Sequence, residues 1–271
     1  MDAIDQLRKL QTKDFIALFK ELQGSPIIVR LLDLPLHEFL PQEYEVADPR
    51  TKQRIDELKE INPMLGHRGV RLAVTDPEIY RMQIESIEQA LIEAPANVSI
   101  MIPQVITSQE VVRIKNLLKG LGMRAGVMIE TVRACMRAGK LAEEVDFFSF
   151  GTNDLTQAVF SFSREDVEKK FLSMYLQQGI LLDNPFAVLD IKGVGRLMET
   201  AIFWARRAKK EIQIGVCGEQ AGEPRSIGYL HGIGIDYVSC SPFRIPIAKL
   251  AAAQAAIKEK YKGAEAETQA G

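Results

Sequence analysis

Disulfide chemistry is the first thing this sequence does without. Its 271 residues include three cysteines, an odd number, and no two of them form a Cys-x-x-Cys pair. That excludes a disulfide framework and a structural zinc site, and reduced thiols fit a cytoplasmic setting. No apolar run approaches membrane-spanning length, so no membrane partner is expected. The N-terminal MDAIDQLRKL lacks the apolar core and cleavage site of a signal peptide. Neither sign of charge dominates. A net charge of -2 gives no ground for binding nucleic acid or an anionic surface. Histidine is scarce too: His37, His67 and His231 have no metal-ligand spacing and read as polar or packing residues, with His67 the one nearest a candidate site. No Gly-x-Gly-x-x-Gly follows the first strand, which weighs against an open dinucleotide-binding sheet. No repeat or low-complexity linker divides the chain. What remains is ordinary globular composition, 46% hydrophobic and 26% charged, enough to bury a substantial α/β core. We read residues 1–262 as one domain and 263–271 as a polar, frayed tail.

Apolar periodicity supplies the elements. Ile4, Leu7, Leu10, Phe15, Leu18 and Phe19 recur at helical spacing until Gly24 stops them. Pro26–Leu32 (PIIVRLL) reads as a short strand interrupted by Arg30. A polar loop from Pro41 to Pro49 and a charged helix follow. Asp76-Pro-Glu then opens a helix to about Ala94, with Pro77 suited to its first turn. Beyond it, strands at Val98–Ile102, Arg124–Ile129, Phe147–Phe150, Ile212–Val216 and Tyr237–Ser239 alternate with helical segments. Those segments are Ser108–Leu121 capped by Ser108, one from Thr131, a region reaching Leu176, Val194–Lys209, Pro224–Gly232 and Ile245–Lys260. Strands alternating with helices predict parallel βαβ units. Counting His67–Leu72 as a strand gives seven, against eight in a closed TIM-type (β/α)8 barrel.

The strand ends carry the chemistry. FFSFGTNDLTQ (Phe147–Gln157) runs as a buried apolar strand into Gly151, Thr152, Asn153 and Asp154, at the edge where parallel α/β folds bind ligands. The same three polar residues would also serve as helix caps. Glu130 ends the preceding strand. Neighbouring strands lie about 4.8 Å apart, so Glu130 and Asp154 can reach one ion. Two carboxylates with no histidine nearby in sequence suit a hard, oxygen-loving cation, and the expected one is Mg2+. Arg30 and Arg68 sit at or near strand ends, where a guanidinium needs an anionic partner and its planar fork suits phosphate or carboxylate. For Arg30 the alternative is a structural ion pair with Asp33. Cys217, in GVCGEQAG, ends a strand between glycines that let a ligand approach, and its thiol could carry a proton. Cys135 and Cys240 read as inert core.

Taken together, RLLDLPLHEFLP, NPMLGHRGVRL, GVMIET, FFSFGTNDLTQ, GVCGEQAGEP and DYVSCSPFRIPIAKLAAAQ resemble the C-terminal, phosphoenolpyruvate-binding barrel of the phosphoenolpyruvate-utilising enzymes. The LLDLPLHEFLP segment points to the pyruvate, phosphate dikinase branch. The resemblance covers about Leu10 to Ala256. It implies a TIM-type barrel that lacks its first strand, with an open edge that favours a homodimer. It implies that Arg30 and Arg68 hold the phosphate and carboxylate of phosphoenolpyruvate, and that Glu130 and Asp154 ligate Mg2+. Gly151, Thr152 and Asn153 would complete the pocket, and Cys217 would protonate the enolate as pyruvate forms. The implied reaction is phosphoryl transfer between phosphoenolpyruvate and a carrier histidine. No GG-x-[ST]-x-H pattern and no Walker-type loop is present. The phosphohistidine and nucleotide-binding domains are therefore expected from elsewhere. Gln220 departs from the histidine common in dikinases, and the loop between Pro41 and Asn62 is short for the family. Two other readings remain open: a Mg2+-dependent lyase or hydrolase of a 2-oxo acid on the same barrel, and a non-catalytic binding module or fragment.

Overall fold

The computed structural model describes residues 3–35, 40–41 and 48–270, the side chains of 262–270 excepted. His37 and most of the Pro41–Pro49 loop lie outside the described residues. The chain divides into two compact units, Met1–Val127 and Met128–Gly271.

The first unit opens with α1 (Ala3–Glu21) and β1 (Pro26–Arg30), followed by α2 (Pro49–Leu58), α3 (Val70–Thr75) and α4 (Pro77–Glu93). Then come β2 (Asn97–Ile102), α5 (Ser108–Leu117) and β3 (Arg124–Ile129), whose last two residues cross into the second unit. β1 runs parallel to β2, with Arg30 opposite Met101, and β2 runs parallel to β3 from the Ser99–Arg124 pair onward. Helix α4 buries Tyr80, Ile84, Ile87 and Ala90 on one face, the i, i+3, i+4 stripe of an amphipathic helix. The same helix fixes the exit of β1. The Tyr80 hydroxyl donates to the Leu32 carbonyl at 2.8 Å, and Gln83 Oε1 accepts from the Leu32 amide at 2.8 Å. Both main-chain groups of Leu32 are thereby satisfied where no strand partner continues. The segment carrying Arg30 and Asp33 is held by that pair of bonds.

His67–Leu72 is not a strand. Pro63–Leu65 forms a 3-10 turn, and α3 starts after Gly69, whose φ of 57° is a left-handed conformation that favours glycine. Val70 and Ala73, three residues apart, are the buried pair of α3, so the apolar period here is helical and not two. Arg71 Nη1 donates to the carbonyls of Leu65 and Gly66 at 3.0 and 2.7 Å, filling acceptors that a sheet would otherwise have to satisfy. The described residues accordingly hold six strands.

The second unit comprises α6 (Val132–Met136), α7 (Ala138–Ala142), β4 (Phe147–Gly151), α8 (Thr152–Phe160), α9 (Arg164–Lys170) and α10 (Leu172–Gln177). It continues through α11 (Arg196–Ala208), β5 (Gln213–Cys217), α12 (Pro224–Gly232), β6 (Tyr237–Ser239) and α13 (Ile245–Ala270). β4, β5 and β6 are parallel, with Gly151 opposite Cys217 and Cys217 opposite Ser239. Phe147, Phe148 and Phe150 are all buried, because a parallel strand covered by helices hides both faces. Strand order follows chain order from β1 to β6, the order of a TIM-type β/α barrel with fewer than its eight strands.

Several boundaries differ from the sequence reading for identifiable reasons. The N-cap of α5 is Thr107, whose amide donates to Glu110 at 3.1 Å in a capping box, and not Ser108. A π-helical turn at Ile191–Gly195, capped by Asp190, delays α11 to Arg196. Helix α13 runs through the residues read as a frayed tail, to Ala270. No helix among the described residues is long and apolar enough to cross a membrane.

Candidate active site

In the first unit the chemistry gathers on Asp33. Its carboxylate is fully buried and accepts from Arg68 Nε and Nη2, both at 2.8 Å, in a two-pronged pair. Arg30 Nη1 reaches the same carboxylate at 3.2 Å, but its side chain is 44% exposed whereas that of Arg68 is 6% exposed. The two arginines are therefore unlike. Arg68 is a buried cation whose fork is matched to a carboxylate, and Arg30 is a solvent-facing one that leans on it. Asp33 was weighed in the sequence only as a partner for Arg30. The signal for its larger role is its place three residues after a charged strand end. A side chain at Gly69 would press on Asp33 and Gln104, so glycine allows the close approach there.

In the second unit Glu130 follows β3 and is buried, with 3% exposed. Asp154 stands in the first turn of α8 and accepts from Gln157 Nε2 at 3.3 Å. A carboxylate oxygen of Glu130 and one of Asp154 lie within 4.8 Å of each other. Gly151, the last residue of β4, leaves no room for a methyl group: a Cβ there would collide with the Glu130 carboxylate and touch Met128 Sδ. Replacing Gly151 by Ala is expected to lower stability by about 1–3 kcal/mol, the range for overpacking, measured by urea denaturation.

Thr152 and Asn153 build the neighbouring turn. The buried Thr152 hydroxyl lies 2.8 Å from the Cys217 carbonyl and 2.7 Å from Gln220 Oε1. Gln220, completely buried, donates through Nε2 to the Pro185 carbonyl at 2.7 Å. Gln220 is thus a buried structural link between the Thr152 turn and Pro185. Asn153 Oδ1 accepts from the Glu219 amide at 3.3 Å. Gly218 has a φ of 114°, and any side chain there would strike Thr152. Cys217 is half-buried and lines a cleft of about 210 Å³ with Gly218, Glu219, Ser239, Cys240, Ser241 and Arg244. Cys240 is half-buried: it lines that cleft and packs against the core cluster of Ile227, Ala248 and Ala251. Cys135 is core, its thiol pushed up to about 12 by burial, so it stays protonated at neutral pH. His67 Nε2 lies 2.6 Å from Thr75 Oγ1 and His231 Nε2 lies 2.8 Å from Glu259, which are ordinary surface polar contacts.

Arg30 ends β1, Glu130 follows β3, Thr152 follows β4 and Cys217 ends β5, so every candidate group on a strand sits at its C-terminal end. That defines the class: a parallel β/α fold of barrel-type strand order with polar residues at the C-terminal ends of its strands. The chain belongs to the phosphoenolpyruvate-utilising enzymes. The family described as PEP-utilising enzyme, PEP-binding domain, matches residues 2–257. It is 44% identical over 290 residues to pyruvate, phosphate dikinase of Entamoeba histolytica, covering 94% of this chain and 33% of that protein. Against the enzyme of the same name from Clostridium symbiosum it is 45% identical over 287 residues, covering 96% of this chain and 33% of that one. The chain thus spans about one third of the length of these relatives. A solved citrate lyase beta subunit from Mycobacterium tuberculosis is 14% identical over 84% of this chain and 86% of its own, with a TM-score of 0.42.

Proposed function

We propose that this chain binds phosphoenolpyruvate and pyruvate with Mg2+ and carries out one half of a dikinase-type phosphoryl transfer. The phosphoryl group passes between phosphoenolpyruvate and a histidine on a separate domain. A nucleotide site on a further domain serves the other half. The observation that carries this reading is the Glu130–Asp154 pair, two carboxylates within 4.8 Å of each other, in a chain of the phosphoenolpyruvate-binding family.

The residues fit the cation. Both donors are hard oxygens on a buried or half-buried carboxylate, and Gly151 keeps the space beside Glu130 clear. Mg2+ held there would offset negative charge on the reacting oxygens. The rest of the work belongs to the chain. Arg30 and Arg68 hold the phosphate and carboxylate of phosphoenolpyruvate. Arg68 does so while two of its nitrogens remain on Asp33, which orients the third. Thr152 and Asn153, tied to the Cys217 and Glu219 main chain, fix the turn against which the substrate rests. Once the phosphoryl group has passed to the histidine, the Cys217 thiol delivers its proton to the methylene carbon of the enolate left behind, giving the methyl group of pyruvate, and recovers it in reverse.

Oxalate imitates the planar enolate form of pyruvate. Titration calorimetry is expected to show oxalate binding with Mg2+ present and weakening by at least about tenfold, ~1.4 kcal/mol, after chelation. Equal affinity in both conditions would remove the metal assignment.

A further inference from the structure

An aromatic and cationic cleft in the second unit takes no part in the reaction above. It lies between the α6–α7 segment and α11, measures about 390 Å³, and is lined by Met136, Arg137, Gly139, Lys140, Trp204 and Arg207, among others. Trp204 is the only tryptophan of the chain. The residue is 46% exposed, although burial would be the ordinary fate of so large an apolar surface. Phe203 beside it is also exposed and packs edge-on against the indole at 5.2 Å. At Gly139 a Cβ would come within 3.2 Å of the Trp204 carbonyl, so glycine lets α7 lie close against α11 and forms the floor.

The charges on this cleft are one-sided. Arg137, Lys140 and Arg207 line it against a single carboxylate, Glu143, and that carboxylate is already held by Lys140 at 2.9 and 3.0 Å. The Arg207 guanidinium stands 5.9 Å from the Trp204 ring centre. A flat indole, a guanidinium beside it and a second arginine in the same lining make a site with two halves: one stacks a ring, the other takes an anion. The volume suits a small molecule and falls within the usual range for ligand clefts. We propose that this cleft binds a nucleoside phosphate, its base stacked on Trp204 and its phosphate held by Arg137 and Arg207. Stacking on one aromatic face tolerates different bases, so selectivity rests on the phosphate.

The lone tryptophan supplies its own reporter. Its emission is to be followed while the chain is titrated with adenosine monophosphate, with adenosine, and with inorganic phosphate. Saturable change is expected with the nucleotide, at an apparent dissociation constant at least about tenfold below that for either half alone. In the Arg137→Gln, Arg207→Gln double variant the nucleotide should lose that advantage while adenosine still acts. Both arginines are exposed, so the variant is expected to fold, and unchanged Mg2+-dependent oxalate binding checks this separately. Three outcomes overturn the proposal: no saturation up to millimolar nucleotide, adenosine binding as well as the nucleotide, or an emission change that follows protein concentration instead. The last would assign the patch to contact with a second copy of the chain.

Discussion

Cys217→Ser is expected to slow exchange of the pyruvate methyl protons with solvent by about two to four orders of magnitude, the range for loss of a general acid or base. The measurement is proton NMR of pyruvate in D2O with Mg2+, comparing parent and variant. Exchange isolates this chain's own step, because it needs neither a phosphorylated histidine nor a nucleotide. The effect follows from chemistry and not from collapse of the site. A hydroxyl occupies nearly the space of a thiol, and Cys217 is only half-buried. The bond from Thr152 goes to the Cys217 carbonyl, which the substitution leaves in place. Oxalate binding and thermal stability should therefore stay close to the parent. Exchange that survives in the variant would move the proton-transfer role to another group. Unfolding of the variant would mark Cys217 as a packing residue, and a Cys217→Ala comparison would then separate volume from chemistry.

Much of this architecture can be read from the sequence because the strands are buried on both faces. Ala125–Ile129 is an unbroken apolar run, Phe147–Phe150 is interrupted only by the buried Ser149, and helix α12 begins at Pro224 and ends at Gly232 as its residues advertise. His67–Leu72 misled for a physical reason. Of its six residues only Val70 and Leu72 are apolar, a spacing that fits a strand as well as a helix, and the decision lies with Gly69 and the Arg71 bonds to carbonyls behind it. Local pattern cannot show such bonds. The same limit explains Asp33 and Cys240. One is defined by an arginine 35 positions away, the other by the cleft it shares with Cys217. Residue type and strand-end position were legible for Arg30, Glu130 and Cys217, and Asp154 falls in the first turn of the helix that follows its strand. The partner that turns Arg68 into a buried, oriented cation was not.

That partner gives the second large effect. Asp33→Ala is expected to destabilise the fold by about 3–5 kcal/mol, measured by urea denaturation, because it removes one side of a buried, two-pronged ion pair with Arg68. The Arg68 side chain is 6% exposed, and its Nε and Nη2 each bond Asp33 at 2.8 Å. Solvent cannot replace what the substitution removes. Arg30, 44% exposed, is the contrasting case: water can take over its 3.2 Å contact, so Arg30→Ala should change stability by no more than about 1 kcal/mol. A double replacement, Asp33→Leu with Arg68→Met, removes both charges and should recover most of the lost stability, since a buried pair is often matched by apolar residues of similar size. The two roles of Arg68 then separate in one series. If it serves only the fold, the double variant regains both stability and oxalate binding. If it also holds the substrate anion, the double variant regains stability while oxalate binding stays lost, and that is the expected result.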